Sequence, residues 1–175
     1  MKKKTLALVL ALTLLVAGVV GGTLAWLTDQ TAEVKNTFTV GDINIGLTET
    51  TADYKMVPGN TIAKDPTVTV KANSEACWLF VKVTESENLN NFITYTVDTG
   101  WTKLQDGVYY REVPASAADQ TFSVLADDAV AVKSDVTRTM LETAKTDAPT
   151  LTFKAYAIQK DHFATADAAW AEVSK

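Results

Sequence analysis

Short runs of residues with a two-residue period restrict the fold of this chain more than any other feature of its sequence. In residues 67–71 polar and apolar side chains alternate, which is typical of a strand with one buried face. In residues 77–83 both alternating sets are apolar, which indicates a central strand covered on each side. The sequence therefore predicts a sheet with at least one fully buried strand.

The same pattern predicts further strands, and Gly, Pro and Asp residues mark the turns between them. These strands are residues 37–40, 43–47, 92–97, 108–113, 121–125, 129–133 and 151–158. The alternation changes parity at Gly41-Asp42, as a β-bulge would make it. Pro58-Gly59 suits a type II turn, and Asp106-Gly107 is a hairpin signal. Short strands at this spacing indicate an all-β chain, a jelly-roll-like antiparallel β-sandwich.

Two short peripheral helices interrupt the strands. Residues 136–144 form the first, with Ser134 or Asp135 as its N-cap. The second lies at the C-terminus, where Thr165 can cap the helix and the apolar positions fall at i, i+3, i+4 and i+7. These apolar residues are Ala166, Ala169, Trp170 and Val173. We expect Trp170 to close one end of the sandwich.

The N-terminus has the order of a secretory signal. Three lysines precede an apolar stretch at residues 6–20, and the small residues Thr23 and Ala25 then occupy positions −3 and −1 of a cleavage site before Trp26. We therefore predict a signal peptide at residues 1–25 and a single β-sandwich domain at residues 26–175. The alternative is an uncleaved membrane anchor, because the apolar stretch approaches the roughly 20 residues that span a bilayer.

The charge balance limits the partners of the secreted chain. The whole chain has a net charge of −5, and the signal segment holds three lysines and no acid, so the remainder is more acidic still. An acidic surface argues against nucleic acid and against anionic membranes as partners. Contact with a membrane is expected only through the signal segment before cleavage.

The residue types of common active sites are scarce. The single histidine, His162, lies in a polar stretch, and the single cysteine, Cys77, lies in the apolar run of residues 77–81. Zinc hydrolysis needs two or three histidines with an acid, and nucleophilic catalysis would have to use His162. We therefore predict that the chain is not an enzyme, with no catalytic residue, no metal site and no cofactor. An intermolecular disulfide through Cys77 is the alternative to a buried thiol.

Two binding alternatives stay open at this level. A calcium site could use Asp127 and Asp128, although no EF-hand spacing supports it. A secreted adhesin could bind glycans through Trp101, Tyr109 and Tyr110. These three, together with Trp78 and Tyr156, are the aromatic residues that could line a carbohydrate groove.

Several runs of the sequence, taken together, resemble the TasA/camelysin family of secreted proteins processed by a SipW-type signal peptidase. The likeness covers nearly the whole chain and is most specific in the first 50 residues. The runs are residues 21–29 (GGTLAWLTD), 36–41 (NTFTVG), 43–47, 57–59 (VPG), 65–66, 77–83 (CWLFVKV), 155–159 (AYAIQ) and 168–170.

The resemblance implies a jelly-roll subunit of extracellular or biofilm matrix fibres at the cell surface. Its partners would be further copies of itself, or related matrix and anchor subunits, after cleavage by the SipW-type peptidase. It also implies that residues 26–40 act as a donor strand, with Trp26, Leu27, Phe38 and Val40 as the assembly residues. β-augmentation is the physical basis, since main-chain hydrogen bonds supply the affinity and alternate side chains fill pockets.

Two further alternatives accompany this hypothesis. Residues 26–35 could be a frayed terminus of a self-contained domain. Camelysin itself is described as a casein-cleaving metallopeptidase, so the resemblance also allows a surface metallopeptidase, although the single histidine matches no zinc motif.

Overall fold

The computed structural model describes residues 42–50 and 54–175, and within them ten strands form three antiparallel sheets. The strands are β1 (Ile45–Thr48), β2 (Thr61–Ala63), β3 (Thr67–Val70), β4 (Cys77–Glu85), β5 (Ile93–Thr94), β6 (Thr102–Gln105), β7 (Val108–Val113), β8 (Gln120–Ser123), β9 (Ala129–Val132) and β10 (Leu151–Gln159). The helices are α1 (Leu89–Phe92), α2 (Arg138–Ala144) and α3 (Ala166–Val173), with 3-10 turns at Ala126–Asp128 and Lys160–His162. The predicted strand at residues 37–40 lies outside the described residues.

Two of the sheets form an antiparallel β-sandwich, which confirms the predicted fold class. The larger sheet has the order β10-β4-β7-β6, and the sheet β1-β3-β8 packs on one of its faces. Val68 and Val70 of β3 meet Leu79 and Val81 of β4 in the core between them. Because β4 lies between β10 and β7 and its first five residues are buried, it is the central strand that the double apolar pattern predicted.

Helix α3 covers the other face of the larger sheet. Thr165 caps it as predicted, since its side chain accepts a hydrogen bond from the Ala168 backbone N–H. Trp170 packs against Phe80 and Tyr156, with ring centroids 5.3 and 5.2 Å apart. The expectation that Trp170 closes an end of the sandwich was wrong, because this helix packs on the outer face of the larger sheet.

The third sheet, β2-β9-β5, is small and packs with α2 in a separate apolar cluster. Helix α2 ends at Ala144 as predicted, but neither Ser134 nor Asp135 is its N-cap. Thr137 caps it instead, with its hydroxyl accepting from the Met140 backbone N–H at 3.3 Å. Val136 is buried, so the chain first enters the cluster and only then turns into the helix.

The hairpin prediction is confirmed, whereas the strand predicted at residues 92–97 was largely wrong. Strands β6 and β7 pair across Asp106-Gly107, and Gly107 has φ +69° and no room for a Cβ, which would lie 2.6 Å from the Val83 carbonyl oxygen. Leu89 and Phe92 are both buried at a helical spacing of three residues, so the segment begins as α1 and leaves only two residues for β5. β2 had no sequence prediction.

Candidate assembly surface

The residues predicted for cleavage and strand donation lie outside the described residues. They are Thr23, Ala25, Trp26, Leu27, Phe38 and Val40. What the structure describes is the part of the chain that would receive a donor strand, which must be the edge of a sheet.

The sandwich has two lateral sides where edge strands of its two sheets meet. Strands β6 and β8 flank one of them, which we call the closed side. Strands β1 and β10 flank the other, which we call the open side.

Main-chain and side-chain hydrogen bonds connect the two sheets on the closed side. The backbone N–H of Asp98 donates to the Val124 carbonyl, and that of Ala126 donates to the Thr96 carbonyl, each at 2.9 Å. The Trp101 indole N–H donates to the Ser123 carbonyl of β8 at 2.8 Å, and its ring is buried. The segment before β6 therefore occupies backbone groups that an incoming strand would need.

An arginine also points into the sandwich at the closed side. The Arg111 guanidinium lies 3.7 Å from the ring centroid of Phe122 and 5.5 Å from that of Trp101. Burial lowers the pKa of Arg111, and the charge of Asp98 opposes that shift. An inward-pointing charge is one of the devices that keep edge strands from pairing with other chains.

The open side presents the longest edge strand among the described residues. β10 pairs with β4 without a register shift over nine residues. The Ser86 N–H donates to the Thr150 carbonyl and the Lys160 N–H donates to the Ala76 carbonyl, so even-numbered residues of β10 bond to β4. The outward backbone groups are therefore those of Leu151, Phe153, Ala155, Ala157 and Gln159. No strand within residues 42–50 and 54–175 pairs with them.

Apolar side chains line a cleft along this edge. Phe153 and alternate residues of β10 pack toward the sandwich core, and a cavity of about 250 Å³ lies between Leu47, Pro66 and Leu151. Leu47 is 37% exposed. A larger cavity of about 460 Å³ continues past Leu151 under the third sheet. As far as residues 42–50 and 54–175 are concerned, the edge thus offers both backbone groups without a strand partner and room for side chains.

Asp42, three residues before β1, lies next to the C-terminal end of the β10 edge. The Glu75 N–H donates to the Asp42 carbonyl at 3.1 Å, and Ala76, one residue on, accepts from Lys160 directly after β10. Asp42 is therefore close to the C-terminal end of β10.

A charged cluster lies at the other end of the cleft. The Lys64 Nζ is 2.5 Å from the Glu49 Oε1, and the Tyr54 hydroxyl donates to the same oxygen at 2.6 Å. Burial, followed by the hydrogen bond to Glu49, raises the pKa of Tyr54 above its ordinary value. Sequence reasoning missed this cluster, because three single polar residues in predicted connections carry no recognisable spacing.

The residues considered for catalysis, metal binding and disulfide formation do not form a common site among the described residues. His162 is exposed in a 3-10 turn, and Cys77 is buried, which raises its pKa to about 11. The buried thiol leaves no surface for an intermolecular disulfide. Among the described residues, no group of three or more His, Cys, Asp or Glu side chains could hold a metal ion, and Asp127 and Asp128 form a left-handed turn with φ 56° and 49°.

The three aromatic residues considered for glycan binding do not share a surface. Trp101 is buried in the sandwich core, and Tyr109 packs against that same core. Tyr110 lies on the opposite face of the sheet, beside Trp78, at a ring-centroid distance of 5.8 Å. They therefore cannot line one groove.

Comparison of the chain with protein-family models, with curated proteins and with solved structures finds no match. In the part of the chain that the structure describes, no helix is long and apolar enough to cross a membrane.

Proposed function

We propose that this chain is a secreted structural subunit of extracellular matrix fibres, and that copies of it assemble by adding residues 26–40 of one copy to the β10 edge of the next. A related matrix or anchor subunit could occupy the same edge at the start of a fibre. A signal peptidase of the SipW type would free Trp26 as the new N-terminus.

The outer edge of β10 is the observation that carries the proposal. Natural proteins protect edge strands by making them short, bulged, charged or covered. β10 is nine residues long, has no bulge and contains Lys154 as its only charged residue. The edge strand at the other end of the same sheet, β6, has four residues and a register shift between Lys103 and Gln105.

The length and pattern of residues 26–40 suit this edge. An extended strand rises about 3.3 Å per residue, so these fifteen residues span about 50 Å, whereas β10 spans about 30 Å. Phe38 and Val40 are two residues apart and would therefore point to the same side of an added strand. The residues of β10 whose backbone groups point outward, such as Phe153 and Ala155, have that same spacing. Their side chains face the core of the sandwich.

The experiment compares residues 26–175 with two matched double variants. Phe38→Asp/Val40→Asp places charges on the predicted inward side, whereas Thr37→Asp/Thr39→Asp places them on the opposite side. We expect wild type and the threonine variant to form fibres by electron microscopy and large species by light scattering, and the first variant to stay monomeric. Monomeric wild type across acidic and neutral pH, or fibres of the Phe38/Val40 variant, would contradict the proposal.

The mass of the protein secreted by its host tests the processing step separately. A chain that begins at Trp26 supports cleavage after Ala25. A chain that retains residues 1–25 would remove the free N-terminus on which donation depends.

A further inference from the structure

Lys64 is the most deeply buried charged residue in the part of the chain that the structure describes. Its side chain is 10% exposed, and that of its partner Glu49 is 24% exposed. The Lys64 Nζ also lies 4.8 Å from the ring centroid of Tyr54 and 5.4 Å from that of Phe153. The amine and the carboxyl group are thus in contact beside two aromatic rings that exclude water from one side.

We propose that the Lys64 amine and the Glu49 carboxyl group condense to an isopeptide bond in the folded protein. A buried ion pair is costly to keep charged, and transfer of one proton from the ammonium to the carboxylate gives a neutral amine and a neutral acid. These are the two forms that amide formation requires.

The reaction balances without any further reagent. The Lys64 nitrogen attacks the Glu49 carbonyl carbon, and the negative charge that develops falls on Oε1, to which the Tyr54 hydroxyl donates its hydrogen bond. The other carboxyl oxygen, Oε2, carries the proton that the ammonium gave up. A second proton, from the attacking nitrogen, then passes to Oε2, which leaves as water. Tyr54 is not consumed, and its raised pKa keeps its hydroxyl protonated as the reaction proceeds.

Proximity lowers the barrier that separate amine and carboxyl groups would face in water. Groups held in reactive contact behave as if present at effective concentrations of about 10⁵–10⁸ M. Lys64 lies between β2 and β3, and Glu49 directly follows β1, whose last residue pairs with the first residue of β3. The pairing of β1 with β3 therefore brings the two groups together whenever the sandwich is folded.

The isopeptide bond would cross-link a chain that cannot form a disulfide within one copy. Cys77 is the only cysteine and is buried. A cross-link from residue 49 to residue 64 would join the end of β1 to the start of β3. The inference does not depend on fibre assembly, since the reaction takes place within one copy.

Intact mass of the secreted protein under denaturing conditions decides the matter. We expect a mass lower by one water than the sequence requires, and, after trypsin digestion, one branched peptide that contains Glu49 and an uncut Lys64. Full mass in folded protein after prolonged incubation would mean an ion pair only and would overturn the proposal.

Three variants identify the atoms. Lys64→Arg keeps the ion pair but should show full mass and melt on the order of 5–10 °C below wild type, from the entropy of closing a loop of this length. Glu49→Gln should release ammonia instead of water and reach the same final mass as wild type. Tyr54→Phe should slow the mass change. A loss of water that persists in Lys64→Arg would assign the bond elsewhere and refute this pairing.

Discussion

The closed and open sides of the sandwich differ in what lies against their edge strands. On the closed side, Trp101 and Arg111 fill the space between the sheets, and the segment before β6 takes up backbone groups of the chain that follows β8. On the open side, the outward backbone groups of β10 meet no strand among the described residues, and Leu47 borders an apolar cleft.

This difference between the two sides distinguishes contacts that stabilise one copy from contacts that a second chain could make. Hydrogen bonds and an inward charge occupy part of the closed side within one copy, which makes it a poorer acceptor for a second chain. The open side keeps a long, regular edge, and its apolar cleft would be better buried by an additional strand. Under the proposed assembly, one sandwich would be stable alone and would direct association to its open side.

The largest expected effect comes from removing one outward N–H on each side. Ala155→Pro removes one from the open edge of β10, and Thr121→Pro removes one from the edge of β8, where Val124 and alternate residues bond to β3. Proline is tolerated at such edge positions. We expect Ala155→Pro to abolish fibres in electron micrographs and Thr121→Pro to leave them intact, with both variants folded by circular dichroism. The reverse result would assign assembly to the closed side.

A smaller effect should separate the packing on the two sides. Trp101→Ala removes a buried indole and leaves the Ser123 carbonyl without its donor, so we expect a loss of about 3–5 kcal/mol in the free energy of unfolding. Phe153→Ala removes a half-buried ring at the cleft and should cost less than half as much in monomeric protein. Urea unfolding of the monomers measures both. Equal costs would show that the open side is already packed as tightly as the closed side.

The smallest effect concerns acid. Hydrogen bonds from the Thr50 hydroxyl and N–H hold the pKa of Asp65 below its ordinary value of 3.8, and those from the Ala72 N–H and Lys71 do the same for Asp119. A carboxyl group with a lowered pKa stabilises the fold above that ordinary value and loses this contribution as pH falls through the folded pKa.

Asp65 lies beside the open side and Asp119 just before β8, so each substitution tests one side. Thermal unfolding between pH 5 and pH 2 should show a shallower loss of stability in Asp65→Asn and in Asp119→Asn than in wild type. A slope unchanged by both substitutions would mean that neither carboxyl group contributes to the acid sensitivity.

Local patterns account for most of the fold that the sequence predicted. The double apolar run of β4, the Asp106-Gly107 hairpin and the Thr165 cap of α3 all depend on residues within a few positions of one another. The wrong strand prediction at residues 92–97 also came from a local pattern. Phe92 and Ile93 look like the start of a strand until the burial of Leu89 on the same helical turn is known.

What the sequence determined by itself is the β character of the chain, its central strand and its C-terminal helix. Only the tertiary structure decided which strands lie at the sheet edges among the described residues and that Lys64 meets Glu49. The periodicity of a strand is a property of residues two positions apart, whereas strand partners lie far apart in the chain, such as Leu151 and Glu85. Long-range packing selects those partners, and with them the strands that lie at the edges of each sheet.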